Sequence, residues 1–348
     1  MDNKNIDIKK LFNLCLEDFI KTGNKNNKYF VIFEKINQNN NGTFNSTIEK
    51  IKFLFSDNLF RIDDNVLIIP IFSSCDYKCV FCDRSDQIVI DTQKNILTTP
   101  EDIKFIIKLT KNKNFSKIQI TGNEPLTNPF ITDIILYLSS LNKGIIFNTS
   151  LSRENILDVV NFLNIEEIIY SIYGSNKEIH DKIVSFPGSF NQINNFIKKI
   201  KKIKPQIEFT KKGVLLKDNF LDMNYIKQGG FFILRPSPID RIRFELYQKN
   251  AVNFKSIKNA LIVVRNNNLD IYKFFKNIPF LPTCLLKEIS NEDFDFFVKN
   301  YLNYDFFTNG LEYTKLDKCK KCKFYDQCNG YFKLHFDVFG ENEINPLV

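Results

Sequence analysis

The sequence predicts an α/β fold: a partial (β/α)6 parallel barrel with a small N-terminal preface and a C-terminal, cysteine-rich, cluster-binding extension. Three observations predict it. From Val66 onward, short apolar runs alternate with segments of helical period, the rhythm of repeated βα units. A tight cysteine triad follows the first of those runs, in the loop where a parallel sheet presents its active edge. Past residue 250 the strand rhythm fades and a second cysteine triad appears.

Residues 1–64 are rich in Asn and Lys, with an apolar stretch at 29–33 and a mixed segment at 48–60, and read as a preface domain. The barrel is expected over 65–250, with strands at 66–72, 117–121, 144–148, 167–173, 206–216 and 231–235. A helix is expected from Pro100 to Thr110, with Thr99 as N-cap, Pro100 at the first helical position, and Glu101 and Asp102 at the positive end. Phe190, Ile193, Phe196, Ile197, Ile200 and Ile203 recur at helical spacing, leaving Lys198, Lys199, Lys201 and Lys202 on a solvated face. The extension is expected over 251–348.

A chain of 348 residues, 43% hydrophobic and holding 36 Phe, has ample material for a large core. The net charge of +8 is scattered rather than gathered in a block, so a nucleic-acid partner is only weakly suggested. The longest apolar runs, such as 66–72, fall far short of the roughly 18 residues a membrane span needs. The polar start, MDNKNIDIKK, has no signal-peptide core. A cytoplasmic protein without a membrane partner is expected. Six of the eight cysteines fall in two triads, which is ligand spacing rather than a disulfide framework and fits a reducing compartment.

The first triad, in SSCDYKCVFCD, places Cys75, Cys79 and Cys82 at C-x3-C-x2-C. Three thiolates on one short loop can hold three irons of a [4Fe-4S] cubane, leaving the fourth iron open to a small molecule. A structural zinc site with a fourth ligand nearby, or three unrelated buried cysteines, are the competing readings. One βα unit later, KIQITGNEPL puts Gly122 where backbone can approach a ligand and Glu124 where a carboxylate can accept hydrogen bonds from an ammonium group.

Cys75, Cys79 and Cys82, with aromatic Phe81 before the last cysteine and Gly122-Asn123-Glu124-Pro125 downstream, resemble the radical S-adenosylmethionine superfamily. The resemblance implies that the open iron binds the amino and carboxylate groups of S-adenosylmethionine, that Phe81 lies by the adenine, and that Glu124 helps to hold the amine. It also implies polar contacts from Asn148 and Ser171, at two further strand ends, to the methionine and ribose. Asn123 stands where the family usually has a second glycine; Asn tolerates positive φ, so the turn is expected to survive. Lys211 and Lys212 are weaker candidates for the cosubstrate carboxylate.

The second triad, CKKCKFYDQC, places Cys319, Cys322 and Cys328 at C-x2-C-x5-C, with Cys284 upstream as a possible fourth ligand. Four thiolates close a site, which suits a second, auxiliary [4Fe-4S] cluster, while zinc is the alternative. The arrangement resembles the SPASM or twitch extensions of radical enzymes that modify peptides and proteins. It departs from them at Phe332, where a cysteine is usual, so one auxiliary cluster is the expected maximum. Cys15 is left over as a small buried hydrophobe. Residues 170–190 and the tail CKKCKFYDQCNGYF resemble peptide maturases of the His-Xaa-Ser type. The resemblance implies a peptide or protein substrate and a reductant such as flavodoxin or ferredoxin. His180 reads as a residue that fixes its loop rather than as a catalyst. The alternatives are an RNA-modifying or cofactor-precursor-modifying radical enzyme, and a zinc-stabilised binding protein without catalysis.

Overall fold

The computed structural model describes residues 61–63, 65–71, 73–82, 97–110, 114–162, 164–228, 230–233, 241–267, 282–289, 313–326, 328, 330–342 and 344–347. The preface expected over 1–64 lies outside them apart from residues 61–63, and so does Cys15. The chain divides into two compact units: residues 1–76, 86–168 and 198–208 form one, and residues 77–85, 169–197 and 209–348 the other.

In the first unit the strands follow one another in sequence order: β1 (Arg61–Asp63), β2 (Val66–Ile71), β3 (Lys117–Gly122), β4 (Gly144–Thr149) and the first four residues of β5 (Ile165–Ser171). β1 pairs antiparallel with β2, turning through Asn65 at φ 69°. This hairpin was not expected from the sequence, because only the second strand carries a long apolar run. β2 to β3 and β3 to β4 are parallel, with Val66 opposite Lys117 and Lys117 opposite Gly144. Leu67, Ile69, Ile71, Ile118, Ile120, Ile145 and Phe147 are wholly buried on these strands. Each such side chain contributes about 1.5–3 kcal/mol by leaving water.

The helices of this unit are α1 (Pro100–Leu109), α2 (Ile131–Ser139) and α3 (Ile156–Phe162), which bury Ile103, Ile134 and Val160. α1 starts as its sequence requires. Thr99 N–H donates to Asp102 Oδ2 at 2.8 Å, and Asp102 N–H donates back to Thr99 Oγ1 at 3.3 Å, a reciprocal cap that satisfies two amides the helix cannot.

The second unit holds the last three residues of β5, then β6 (Glu208–Leu215) and β7 (Phe231–Ile233), which pair parallel with Gly213 opposite Phe231. β5 ends two residues before the expected 173. Tyr173 N–H is drawn out of the ladder by the His180 ring, donating to Nδ1 at 3.1 Å. The helices introduced here are α4 (Lys177–Val184), α5 (Ser189–Ile203, whose last turns belong to the first unit), α6 (Met223–Lys227), α7 (Arg241–Asn250), α8 (Phe254–Asn266), α9 (Thr283–Ile289) and α10 (Lys333–Phe339). α5 buries Ile193, Phe196 and Ile200 and exposes its four lysines, as its period predicts, while Ile203 at its end is 47% exposed.

Past residue 250 the chain packs a core around Phe254, Ile257, Leu261, Tyr331 and Phe332 that takes in Cys284 and is continuous with Leu215 of β6 and with Tyr225 and Ile226 of α6. A two-stranded antiparallel ribbon, β8 (Tyr313–Thr314) and β9 (Tyr331–Phe332), frames it. Phe332 is 1% exposed in this core and serves packing. Parallel strands alternating with helices place the chain in the α/β class.

Candidate active site and cysteine-lined cavity

In the first unit the loop that carries Cys75 is tied to two neighbouring strand exits. Ser73 Oγ donates to Glu124 O at 2.7 Å, Asn123 Nδ2 donates to Ser73 O at 2.8 Å, and Thr127 Oγ1 donates to Ser74 O at 2.7 Å. Asp76, next to Cys75, accepts from Arg153 Nε and Nη2 and from Ser152 Oγ. The backbone of the Cys75 loop is thus held from both sides by side chains of the loops after β3 and β4.

Gly122 is confined by close backbone contact. A Cβ there would lie 2.2 Å from Ile71 O, and φ is 129°. The positive φ of this turn falls on Gly122, and Asn123 is not among the positive-φ residues. Asn123 therefore replaces the usual glycine without strain, and its amide does the tethering just described.

Glu124 is wholly buried. Its Oε1 accepts from Leu126 N–H at 3.1 Å and Thr149 Oγ1 at 2.7 Å, and its Oε2 accepts from Ser150 N–H at 2.5 Å and from the Ser150 hydroxyl. Those four donors match the roughly four lone-pair sites of a carboxylate. Burial pushes its carboxyl up from the usual range, and the hydrogen bonds from Ser150, Thr149 and Leu126 pull against that rise. Asn148, at the end of β4, donates from Nδ2 to Thr121 Oγ1 at 3.3 Å, while its Oδ1 is buried with no partner among the described residues. That oxygen is an acceptor available to a donor group of a ligand.

In the second unit the turn from Cys79 to Cys82 closes through Cys82 N–H to Cys79 O at 3.0 Å. It docks on the end of α4, where Lys78 N–H donates to Val184 O at 3.0 Å and Val80 N–H to Ile183 O at 2.9 Å. Asn250 at the end of α7 donates from Nδ2 to Val80 O at 3.0 Å. The Phe81 ring meets Tyr173 edge to face at 5.0 Å. Ser171 hydrogen-bonds the Tyr173 side chain; burial, with Cys79 and Cys82 nearby, holds the Tyr173 hydroxyl well above its ordinary value.

His180 is fully buried, stacks on Tyr173 at 5.8 Å, and is held down to about 4 by burial. The neighbouring Asp181 accepts from Gly188 N–H, Ser189 Oγ and Phe190 N–H at 2.6–2.9 Å. His180-Asp181 and the segment Pro187-Gly188-Ser189-Phe190 are therefore one folded unit, with His180 fixing its loop. Lys211 Nζ lies 4.0 Å from the centre of the Tyr225 ring and donates to Tyr225 O at 3.1 Å; burial brings it down to about 7. Lys212 is exposed.

The four C-terminal cysteines come together. Cys284, Cys319, Cys322 and Cys328 line one cavity, with Thr283, Leu316 and Tyr331 among its walls. Burial, followed by the proximity of Cys328, pushes the Cys284 thiol up to about 12, and burial also raises Cys319. Gly330 N–H donates to Cys328 Sγ at 3.3 Å. Among the described residues no three His, Cys, Asp or Glu side chains converge closely enough to hold a single ion.

Reading the sequence alone did not single out Ser73, Asp76, Thr149, Ser150 or Arg153. The available signal was the run of hydroxyls in NTSLSR straight after an apolar strand. No helix among the described residues is long and apolar enough to cross a membrane.

Residues 69–216 match the family model described as the Radical SAM superfamily. Among curated proteins, a probable GTP 3′,8-cyclase of Methanocaldococcus jannaschii is 29% identical over 135 residues, covering 38% of this chain and 44% of that protein. The GTP 3′,8-cyclase of Aquifex aeolicus is 25% identical over 141 residues, covering 40% and 44%. The chain thus spans under half the length of these two relatives. Among solved structures, Streptococcus suis SuiB is similar over 64% of this chain and 47% of its own, at 12% identity and a TM-score of 0.38.

Proposed function

We propose that the chain is a radical S-adenosylmethionine enzyme that cleaves its cosubstrate reductively and abstracts a hydrogen atom from an organic substrate. The observation that carries this reading is the match of residues 69–216 to the superfamily, over a stretch that contains the C-x3-C-x2-C loop and the Glu124 turn. Cys75, Cys79 and Cys82 are the residues proposed to hold the cluster. When bound, a [4Fe-4S] cluster with one open iron supplies an electron to S-adenosylmethionine and yields methionine and a 5′-deoxyadenosyl radical.

The chain's own residues orient and shield. Phe81 offers an aromatic face for the adenine, and the unpartnered Asn148 Oδ1 offers an acceptor. Glu124 acts by shaping its loop, since both of its oxygens are engaged within the chain. Gly122, Asn123 and Ser171 complete the proposed cosubstrate contacts. A flavodoxin or ferredoxin is the proposed electron donor.

The rear cavity is proposed to hold an auxiliary [4Fe-4S] cluster on Cys284, Cys319, Cys322 and Cys328. Four thiolates on one cavity are the donor set such a cluster needs, and a single zinc is the competing occupant of the same set.

For the substrate, the motifs at 170–190 and in the tail support a peptide or protein, as in ribosomal peptide maturation. The matched relatives act on GTP by their names, and favour a nucleotide-type cofactor precursor. Anaerobic incubation with S-adenosylmethionine and dithionite, read by formation of 5′-deoxyadenosine, tests the shared reading: absence of that product from iron-loaded protein refutes it. Adding GTP in deuterated or unlabelled form separates the substrate classes, since deuterium transfer into 5′-deoxyadenosine is expected only from a true substrate.

A further inference from the structure

The rear cavity contains one polar group that its four cysteines do not explain. Thr283 precedes Cys284 at the start of α9, is 1% exposed, and lines the same cavity. Its Oγ1 has no hydrogen-bond partner among the described residues. A buried hydroxyl without a partner is destabilising, a cost that an apolar side chain of the same shape would avoid. Much of the remaining wall is apolar, with Leu316, Tyr331, Phe336 and Ile344. One cysteine of the set already receives a donor, since Gly330 N–H reaches Cys328 Sγ. Gly330 adopts φ 79°, where a Cβ would lie 2.2 Å from Thr314 O.

We infer that Thr283 is a positioning residue for the metal group of this cavity, its hydroxyl donating a hydrogen bond to a sulfur of that group and favouring the group's reduced state. The inference rests on the proposal that the rear cysteines hold an iron–sulfur cluster. A reduced cluster carries one more negative charge than its oxidised form, so a donor at sulfur stabilises it more. Hydrogen bonds to the sulfurs are among the levers that set cluster potentials.

The test uses the full chain with Cys75, Cys79 and Cys82 all changed to Ala, which leaves the rear site alone. About four irons per chain after anaerobic reconstitution establish the premise; zinc without iron refutes the cluster reading itself, independently of Thr283. Redox titration followed by electron paramagnetic resonance then compares Thr283 with Thr283→Val and Thr283→Ser. Thr283→Val is expected to weaken reduction about tenfold, a shift of about 59 mV to more negative potential for one electron, and Thr283→Ser to restore it. Retained iron with an unchanged potential in Thr283→Val overturns the inference. If Thr283→Val takes up no iron, retention in Thr283→Ser supports the hydroxyl's role, and loss in both variants overturns it in favour of packing.

Discussion

The Asp76 carboxylate receives Nε and Nη2 of Arg153, each at 2.8 Å, and the Ser152 hydroxyl at 2.9 Å. The pair fastens the residue after Cys75 to the loop after β4. The hydrogen bond from Arg153 is the main cause that holds Asp76 below its ordinary value of 3.8, against the cost of burial. With the Arg153 side chain 46% exposed, solvent screening limits the pair to about 0.5–1 kcal/mol. Because the folded value is depressed, this stability is complete above the unfolded value and is lost as pH falls through the folded one. Asp76→Asn is therefore expected to lower the urea midpoint at pH 7 slightly, and the difference from the parent is expected to shrink only below the ordinary aspartate range.

Glu124→Gln keeps shape but replaces one acceptor oxygen with an amide donor facing Leu126 and Thr149, or Ser150. At least one buried donor then loses its partner, a cost of about 1–3 kcal/mol. A fall in thermal midpoint, together with reduced iron uptake, is the expected result. Unaltered stability would show that the four hydrogen bonds to this carboxylate do not hold the loop.

The two cysteine groups are expected to fail differently. Cys79→Ala abolishes formation of 5′-deoxyadenosine, whereas Cys322→Ala leaves some uncoupled cleavage while losing substrate turnover. Product analysis by chromatography separates the two, and full cleavage by Cys79→Ala would remove the proposed site.

Both histidines of the chain are buried and bonded through Nδ1: His180 accepts from Tyr173 N–H, and His335 shares a 2.7 Å hydrogen bond with the Tyr247 hydroxyl. Burial holds His180 down to about 4, with Asp181 opposing it, and holds His335 down to about 3. For a histidine depressed in the folded state, stability is complete above the unfolded value of 6.5 and falls as pH drops toward the folded value. Between pH 6.5 and about 4, stability is expected to fall by up to about 1.4 kcal/mol per pH unit for each histidine. His180→Asn is expected to halve that slope in urea unfolding followed across pH, and an unchanged slope would exclude the contribution.

Much of the α/β frame was legible because it rests on local signals. The apolar runs at 66–72, 117–121 and 144–148 have the right length and period, and Thr99-Pro100-Glu101-Asp102 announces a helix start. The early end of β5 was not legible, since it depends on the His180 ring seven residues away reaching the Tyr173 amide. At the candidate site, cysteine spacing singles out the proposed ligands, because a metal group would impose short, regular separations. The residues that brace them are invisible for the opposite reason. Asp76 and Arg153, or Ser73 and Glu124, lie 77 and 51 positions apart, and no periodicity links them. In the rear set, three cysteines were legible by spacing and Cys284 only as a possible fourth ligand upstream; that it lines the same cavity depends on the fold around α9.

The hydrogen bond from Asn250 to Val80 spans 170 positions, and it bears on the order of events during synthesis. A growing chain emerges from its amino end, and a contact of such separation closes only after the intervening length has been made and collapsed. The turn between Cys79 and Cys82 therefore reaches its final set of bonds late, after α7 has left the ribosome. A metal group proposed for this turn would meet its finished form only once residue 250 has emerged.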